Sequence, residues 1–238
     1  MNAWTIKTTT GDAGPFHQQD NPFPDEPTIW VHTVKRPALV LGSTQPEGLV
    51  DAQKAVDART EVCRRRSGGG LVHLLPGRHL WVDVFLPRAS PLWNDDVGVA
   101  FHWLGTVWAD VLRNTVCAGD LDSPRPAVEV HTGPLQGRAR GRVLCFAGLG
   151  PGEVTVDGSK VVGISQRRTR DFARFQCAVV WDWSPEQTLQ LLDAESIKQT
   201  GVSLDDLRTT SIGLGRNPTE GEITEVANRF FSTIGHPW

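Results

Sequence analysis

Apolar and polar positions along this chain fall first into short runs of strand period and later into stripes of helix period. Residues 1–36 read as a lead-in, irregular over 1–27 where Gly, Pro and Asp cluster. Thr28–Val34 and Ala38–Leu41 predict short strands joined through Arg36-Pro37. Leu49 to Ala58 predicts a short helix, and Glu61 to Arg65 and Leu71 to Leu75 predict strands flanking a glycine loop. His79 to Leu86 is apolar on both faces, which predicts a strand inside its sheet. Asp95-Asp96 caps a predicted helix running to about Arg113, with Val97, Phe101, Leu104, Trp108 and Val111 on one stripe.

Val128 to His131, Val143 to Ala147 and Glu153 to Val156 read as further strands. Asp157-Gly158 signals a tight hairpin into a strand pair, Lys160 to Gln166 and Phe175 to Trp183. From Ser184 onwards the period becomes helical. Ser184-Pro185-Glu186-Gln187 and Thr219-Glu220-Gly221-Glu222 are helix starts, and Ile223, Val226, Phe230 and Ile234 form the last buried stripe. Strands first and helices at 184–238 predict an α+β fold with a mixed sheet flanked by helices. No linker or internal repeat interrupts residues 1–238, so a single domain is expected.

Net charge is −3, which gives no overall basic field for nucleic acid. Positive charge is local, at Arg64–Arg66, Arg138–Arg142 and Arg167–Arg174. Lysine is scarce: Lys7, Lys35, Lys54, Lys160 and Lys198 are all there are, so Lys160 between Gly158 and Gly163 stands out. The polar start carries no apolar core of a signal peptide, and no run suits a membrane span. Cys63, Cys117, Cys145 and Cys177 form no CxxC pair or zinc spacing, and reduced thiols fit a cytoplasmic protein.

The chemistry concentrates in two stretches. Arg64-Arg65-Arg66-Ser67-Gly68-Gly69-Gly70-Leu71-Val72 puts cations beside three residues without Cβ atoms. Such a loop lets a ligand lie against backbone N–H groups while a guanidinium fork binds phosphate or carboxylate. It is equally a basic hairpin tip. The second stretch is Gly158-Ser159-Lys160-Val161-Val162-Gly163-Ile164-Ser165-Gln166-Arg167-Arg168.

Together the two stretches resemble the lipoate–protein ligase and octanoyltransferase family, relatives of biotin–protein ligases. That family carries Arg-Arg-x-Ser-Gly-Gly-Gly-x-Val and, about a hundred residues on, Gly-x-Lys-x-x-Gly-x-(Ala/Ser)-Gln-Arg. The resemblance runs from about Pro37 to Trp183 and includes Leu41-Gly42-Ser43-Thr44-Gln45. It implies the biotin/lipoate protein ligase catalytic-domain fold, and attachment of a lipoyl or octanoyl group to a lysine of a lipoyl domain or of a glycine-cleavage H-type protein. The acyl donor would be an acylated carrier, a lipoyl protein or free lipoate. Nucleic acid and membrane are not expected partners.

By the same resemblance, Lys160 would stabilise the acyl carbonyl oxygen. Arg64, Arg65, Ser67, Gly68, Gly69, Gly70 and Val72, with Gly163 and Ser165, would bind substrate. Departures from the ATP-dependent branch are equally specific. Leu74-Leu75 stand where ligases have His-Asp, Gly148-Leu149 where they have Asn-Asp, and Gln176-Cys177 where they often have His-Gly. The Asn-Asp and His-Asp positions serve nucleotide and metal. Cys145-Phe146-Ala147, followed by Glu153 and Gly158-x-Lys160, is similar to the transferase branch, in which a cysteine carries the acyl group as a thioester. Three readings follow: transfer through Cys145 with no cofactor, ligation through an adenylate with ATP and Mg²⁺, or a non-catalytic acyl-chain or partner-binding protein. Cys145 is either the nucleophile, with Lys160 as the nearby cation a thiolate needs, or a small buried core residue.

Overall fold

The computed structural model describes residues 4–20, 25–118, 124–210 and 212–235. Among the described residues ten strands form two sheets. They are β1 (Thr5–Gly11), β2 (Thr28–Val34), β3 (Ala38–Leu41), β4 (Glu61–Arg64), β5 (Val72–Leu74), β6 (His79–Pro87), β7 (Val128–Val130), β8 (Val154–Val156), β9 (Ser159–Arg168) and β10 (Phe172–Val180). The large sheet has the order β1-β2-β6-β10-β9-β8-β7, and the small one β4-β3-β5. β1 runs parallel to β2 and β3 parallel to β4, while the remaining pairs are antiparallel. The fold is therefore α+β with mixed sheets.

Among the described residues eight α-helices accompany the strands. They are α1 (Ala13–Gln18), α2 (Ala52–Asp57), α3 (His102–Arg113), α4 (Arg138–Val143), α5 (Pro185–Leu189), α6 (Ala194–Gln199), α7 (Leu204–Arg208) and α8 (Glu220–Ile234). α3 and α8 cover one face of the large sheet and build the main core with it. Trp108 of α3 stacks on Phe230 of α8 at 4.1 Å between centroids. Thr219 and Glu222 close the expected capping box at the start of α8. α5 to α7 pack with the small sheet in a second core around Leu39, Leu41, Leu71 and Leu144. Among the described residues no helix is long and apolar enough to cross a membrane.

The expected irregular lead-in is instead a strand and a helix. β1 is exposed along most of its length and is held through its parallel register with β2, so it carries no apolar alternation to betray it. α1 is held at both ends from afar. The Glu61 carboxylate accepts from the N–H groups of Ala13 and Gly14 at 2.9 and 3.0 Å. The Arg174 guanidinium donates to the carbonyls of Phe16, His17 and Gln19. Arg174 is thus no part of a surface charge cluster. It is buried and paired with Asp83, which also accepts from His32 and Trp81.

Two other expectations shift. Asp96 is not the cap residue of the helix: its carboxylate accepts from Gly98 and Val99 ahead of a 3-10 turn over Val99–Phe101, and the α-helix starts at His102. The run Val143 to Ala147 is not a strand. It finishes α4 and enters a 3-10 turn over Cys145–Ala147, because Gly141 and Gly148 let two backbones meet with no room for a Cβ. A short apolar run of this kind has no period to separate strand from helix.

Candidate active site

The glycine loop closes on one buried cation. Arg65 follows β4 directly, anchored by its N–H to the Leu41 carbonyl at 2.9 Å. Its side chain turns inward and is only 3% exposed. It donates to the carbonyls of Gly68 and Gly70, both at 2.8 Å, and to Val40 at 3.3 Å. Gly69 takes φ of 97°, and a Cβ there would lie 2.9 Å from Arg65 Nη2 and 3.8 Å from Cys145 Sγ. Burial pushes the Arg65 pKa below the usual guanidinium range, and the adjacent Cys145 sulfur opposes that shift. Arg65 is therefore the cation beside the Cys145 thiol.

Lys160 is not. Its ammonium is buried and caged by three acceptors: the Glu153 carboxylate at 2.6 Å, the Gly148 carbonyl at 2.9 Å and the Cys145 carbonyl at 3.0 Å. All three of its N–H bonds are thus engaged. Glu153 is engaged in turn. It accepts from Gly150 N–H at 2.6 Å and Ile164 N–H at 3.1 Å. The hairpin through Asp157 and Gly158, with φ of 48° and 79°, sets the register that puts Lys160 opposite Thr155. Lys160 Nζ also lies 4.9 Å over the Phe146 ring.

Between the two sheets runs a narrow slot of about 430 Å³, part of it open to solvent. Its narrow form suits a slender chain. Val40, Val72 and Leu74 of the small sheet face Trp81, Gly163, Ile164, Cys177 and Ala178 of the large one. Arg65, Cys145, Phe146, Ser165, Gln176 and His17 complete the wall. Of the residues expected at the site, Arg65, Cys145, Val72, Gly163 and Ser165 line this slot. Lys160 sits just behind Phe146 and Gly163. The Arg64 guanidinium instead holds the carbonyls of Gly42 and Gln45 at 2.9 and 2.6 Å.

Ser67 reaches the slot through hydrogen bonds. Ser165 Oγ lies 2.9 Å from Ser67 Oγ, which donates to Gln176 Oε1 at 3.0 Å, and Gln176 Nε2 lies 3.1 Å from His17 Nδ1. Glu153 and Gln176 are marked in the sequence only by the resemblance, as part of the transferase-like run and as a departure, and His17 not at all.

A family model described as the lipoyl protein ligase A/B catalytic domain matches residues 16–233. The chain belongs to that family. No curated protein matches it in sequence, but solved structures share the fold of a lipoate–protein ligase. A bi-partite lipoate protein ligase from Thermoplasma acidophilum, described with its E2 lipoyl domain, has a TM-score of 0.65 at 13% identity, over 98% of this chain and 84% of that one. P. falciparum LipL1 in complex with lipoate has a TM-score of 0.61 at 12% identity, over 98% of this chain and 62% of that one. A lipoate-protein ligase A bound with ATP has a TM-score of 0.54 at 15% identity, over 98% of this chain and 96% of that one.

This lipoyl-ligase-family chain uses its divergent positions for other purposes. Leu74 forms slot wall, the Gly148 carbonyl accepts from Lys160, and Gln176 carries the hydrogen-bond chain. Glu153, close after Gly148-Leu149, has both oxygens engaged, by Gly150, Ile164 and Lys160. Among the described residues no cluster of His, Cys, Asp and Glu could hold a metal ion. Burial raises the thiol pKa of Cys63 to about 12 and also pushes up those of Cys117 and Cys177, which disfavours all three as nucleophiles.

Two expectations follow from this geometry. In Gly163→Ala the new Cβ would lie 2.8 Å from the Phe146 ring and 3.4 Å from Lys160 Cε. The ring is then driven into the slot, costing about 1–3 kcal/mol of stability and most of the acyl affinity. Denaturant unfolding and acyl-acid titration measure the two effects, and full affinity in the variant would show that Phe146 does not border the ligand.

The second concerns pH. Burial holds His17 neutral down to about pH 3, and His73 and His79 down to about pH 4. Their folded pKa values lie below the unfolded value of about 6.5, so the unfolded chain gains protons first on acidification. The stability from the neutral rings is complete above about pH 6.5 and falls as pH drops towards 4. Urea midpoints should report a loss of up to about 4 kcal/mol between pH 7 and pH 5.5, and a flat profile there would contradict the burial of these rings.

Proposed function

We propose that this protein transfers a lipoyl or octanoyl group to a lysine of a lipoyl domain or of a glycine-cleavage H-type protein, with the acyl group carried on Cys145. The observation that carries this reading is the slot itself: a slender apolar channel between the sheets whose wall includes the Cys145 thiol, with the Arg65 guanidinium beside it. An apolar pocket with a few placed polar groups is the form that binds a chain and orients one end of it.

In the first step the Cys145 thiolate attacks the carbonyl carbon of the acyl donor. The C–S bond forms, the bond to the donor's leaving group breaks, and the leaving group takes up a proton. In the second step the neutral amine of the acceptor lysine attacks the thioester. The amide bond forms, the C–S bond breaks, the amine gives up a proton and the Cys145 thiolate is restored. No redox partner or nucleotide enters either step. Arg65 faces the sulfur that gains negative charge in the second step. Lys160 exchanges one of its backbone carbonyls for the acyl oxygen as that oxygen becomes anionic, while Glu153 balances its charge in the buried setting. Lys160 thereby also positions the Cys145–Gly148 turn.

The competing reading is an ATP-dependent ligase that forms an acyl adenylate, as the ATP-bound relative suggests. One experiment separates them. A lipoyl domain is incubated with this protein and an acylated carrier, an acylated lipoyl protein or the free acid, with and without ATP, and weighed intact. One acyl mass gained from an acylated donor without ATP is the expected result. Gain only from free acid plus ATP supports the ligase, and no gain from any donor leaves a non-catalytic binder.

A further inference from the structure

The slot holds one polar group that its own protein does not satisfy. His17 lines it, stacked on Trp81 at 4.4 Å between centroids, and is 5% exposed. Its Nδ1 is met by Gln176 Nε2. Its Nε2 has no hydrogen-bond partner among the described residues.

The hydrogen-bond chain fixes what that nitrogen carries. Ser67 Oγ donates to Gln176 Oε1, which leaves the amide Nε2 to donate to His17 Nδ1. A neutral imidazole that accepts at Nδ1 bears its proton on Nε2. Burial holds the ring neutral, with its pKa down at about 3. His17 therefore presents an unpaired N–H in a slot lined by Val40, Leu74, Trp81 and Ala178. A buried donor left unpaired is costly, so something of complementary chemistry belongs against it.

Its place along the slot says which part of a ligand that is. Gly163 of β9 pairs with Ala178 of β10, and Ala178 with Trp81 of β6. Phe146 packs on Gly163, next to Cys145 in the chain, and His17 packs on Trp81. Two interstrand steps, roughly 10 Å, separate these ends. A chain with its carbonyl at Cys145 brings its distal part towards His17.

We propose that the slot selects acyl chains bearing a hydrogen-bond acceptor, sulfur or oxygen, in their distal half, and that the His17 Nε2–H is the donor that reads it. This rests on the acyl-slot reading above. It separates a lipoyl-type chain, with its ring sulfurs, from a plain octanoyl chain. Arg174 acts as the positioning residue, because it holds the carbonyls of Phe16, His17 and Gln19 and so fixes α1 against the slot.

The test titrates octanoate, lipoate, 6-oxo-octanoate and 7-oxo-octanoate into the wild-type protein, His17→Phe and His17→Gln. Lipoate and at least one oxo acid should bind the wild type about tenfold more tightly than octanoate. His17→Phe, which keeps an aromatic ring on Trp81, should abolish or reverse that preference. His17→Gln, which can place an amide N–H near the same point, should restore it in part. On ¹⁵N-histidine-labelled wild type, the His17 Nε2–H proton should move downfield with lipoate and not with octanoate; this readout stands even where a variant fails to fold. Equal affinities in the wild type, or an unchanged preference in His17→Phe, overturns the proposal and assigns the donor to a water. Binding of octanoate alone overturns it while leaving the acyl slot intact. Binding of none of the four acids overturns the acyl slot as well.

Discussion

Lys160→Ala is expected to lose acyl transfer and about 3–5 kcal/mol of stability together. The fold loss comes from Glu153. With Lys160 gone, a carboxylate that is 5% exposed keeps its bonds to Gly150 and Ile164 but has no countercharge. The carbonyls of Cys145 and Gly148 lose their donor at the same time, which loosens the 3-10 turn that carries the thiol. Loss of activity in this variant alone therefore says little about chemistry. Lys160→Met combined with Glu153→Gln separates the two roles, since it removes both charges and leaves an amide oxygen for the N–H groups. The double variant should regain most of the stability in urea unfolding and none of the transfer. A Lys160→Ala protein with the wild-type midpoint and full activity would remove the caged lysine from both roles.

What could be read in the sequence was local. Asp157-Gly158 needs two positive φ angles, and both are there. Thr219 and Glu222 close their box within one turn. The glycine triplet marks a place where backbones meet, and Gly70 does pack directly on the backbone around Leu144. What could not be read is held together over long distances. α1 owes its ends to Glu61 and Arg174, about 48 and 155 residues away. His17 enters the slot only because of that clamp, and no motif announces it. Gln176 stands where ligases often have His, and its use appears only when β10 sits beside β9 and Ser67 donates to it. Charge runs misled in the same way. Arg64 and Arg65, expected to bind substrate, give hydrogen bonds to backbone carbonyls, and Arg174 divides its guanidinium between carbonyls and Asp83.

The other large effect is expected at Cys145. Incubated with an acylated lipoyl-domain donor and no ATP, the wild-type protein should gain one acyl mass that hydroxylamine removes, the signature of a thioester. Cys145→Ala should lose both the adduct and transfer, while Cys177→Ala keeps both. The argument is positional. Cys145 Sγ lies in the slot wall close to Gly69 and Arg65, whereas Cys177, which also borders the slot, is 1% exposed and its thiol is disfavoured as a thiolate by burial. Cys145→Ala should cost little in stability, because the backbone bonds of the turn to Leu71 and Lys160 do not involve the sulfur. A thioester also preserves the activation of the acyl group, so the second step needs no nucleotide. Full transfer by Cys145→Ala in the presence of ATP, with an acyl adenylate released on acid quench, would assign the chemistry to a ligase and leave the thiol as slot wall.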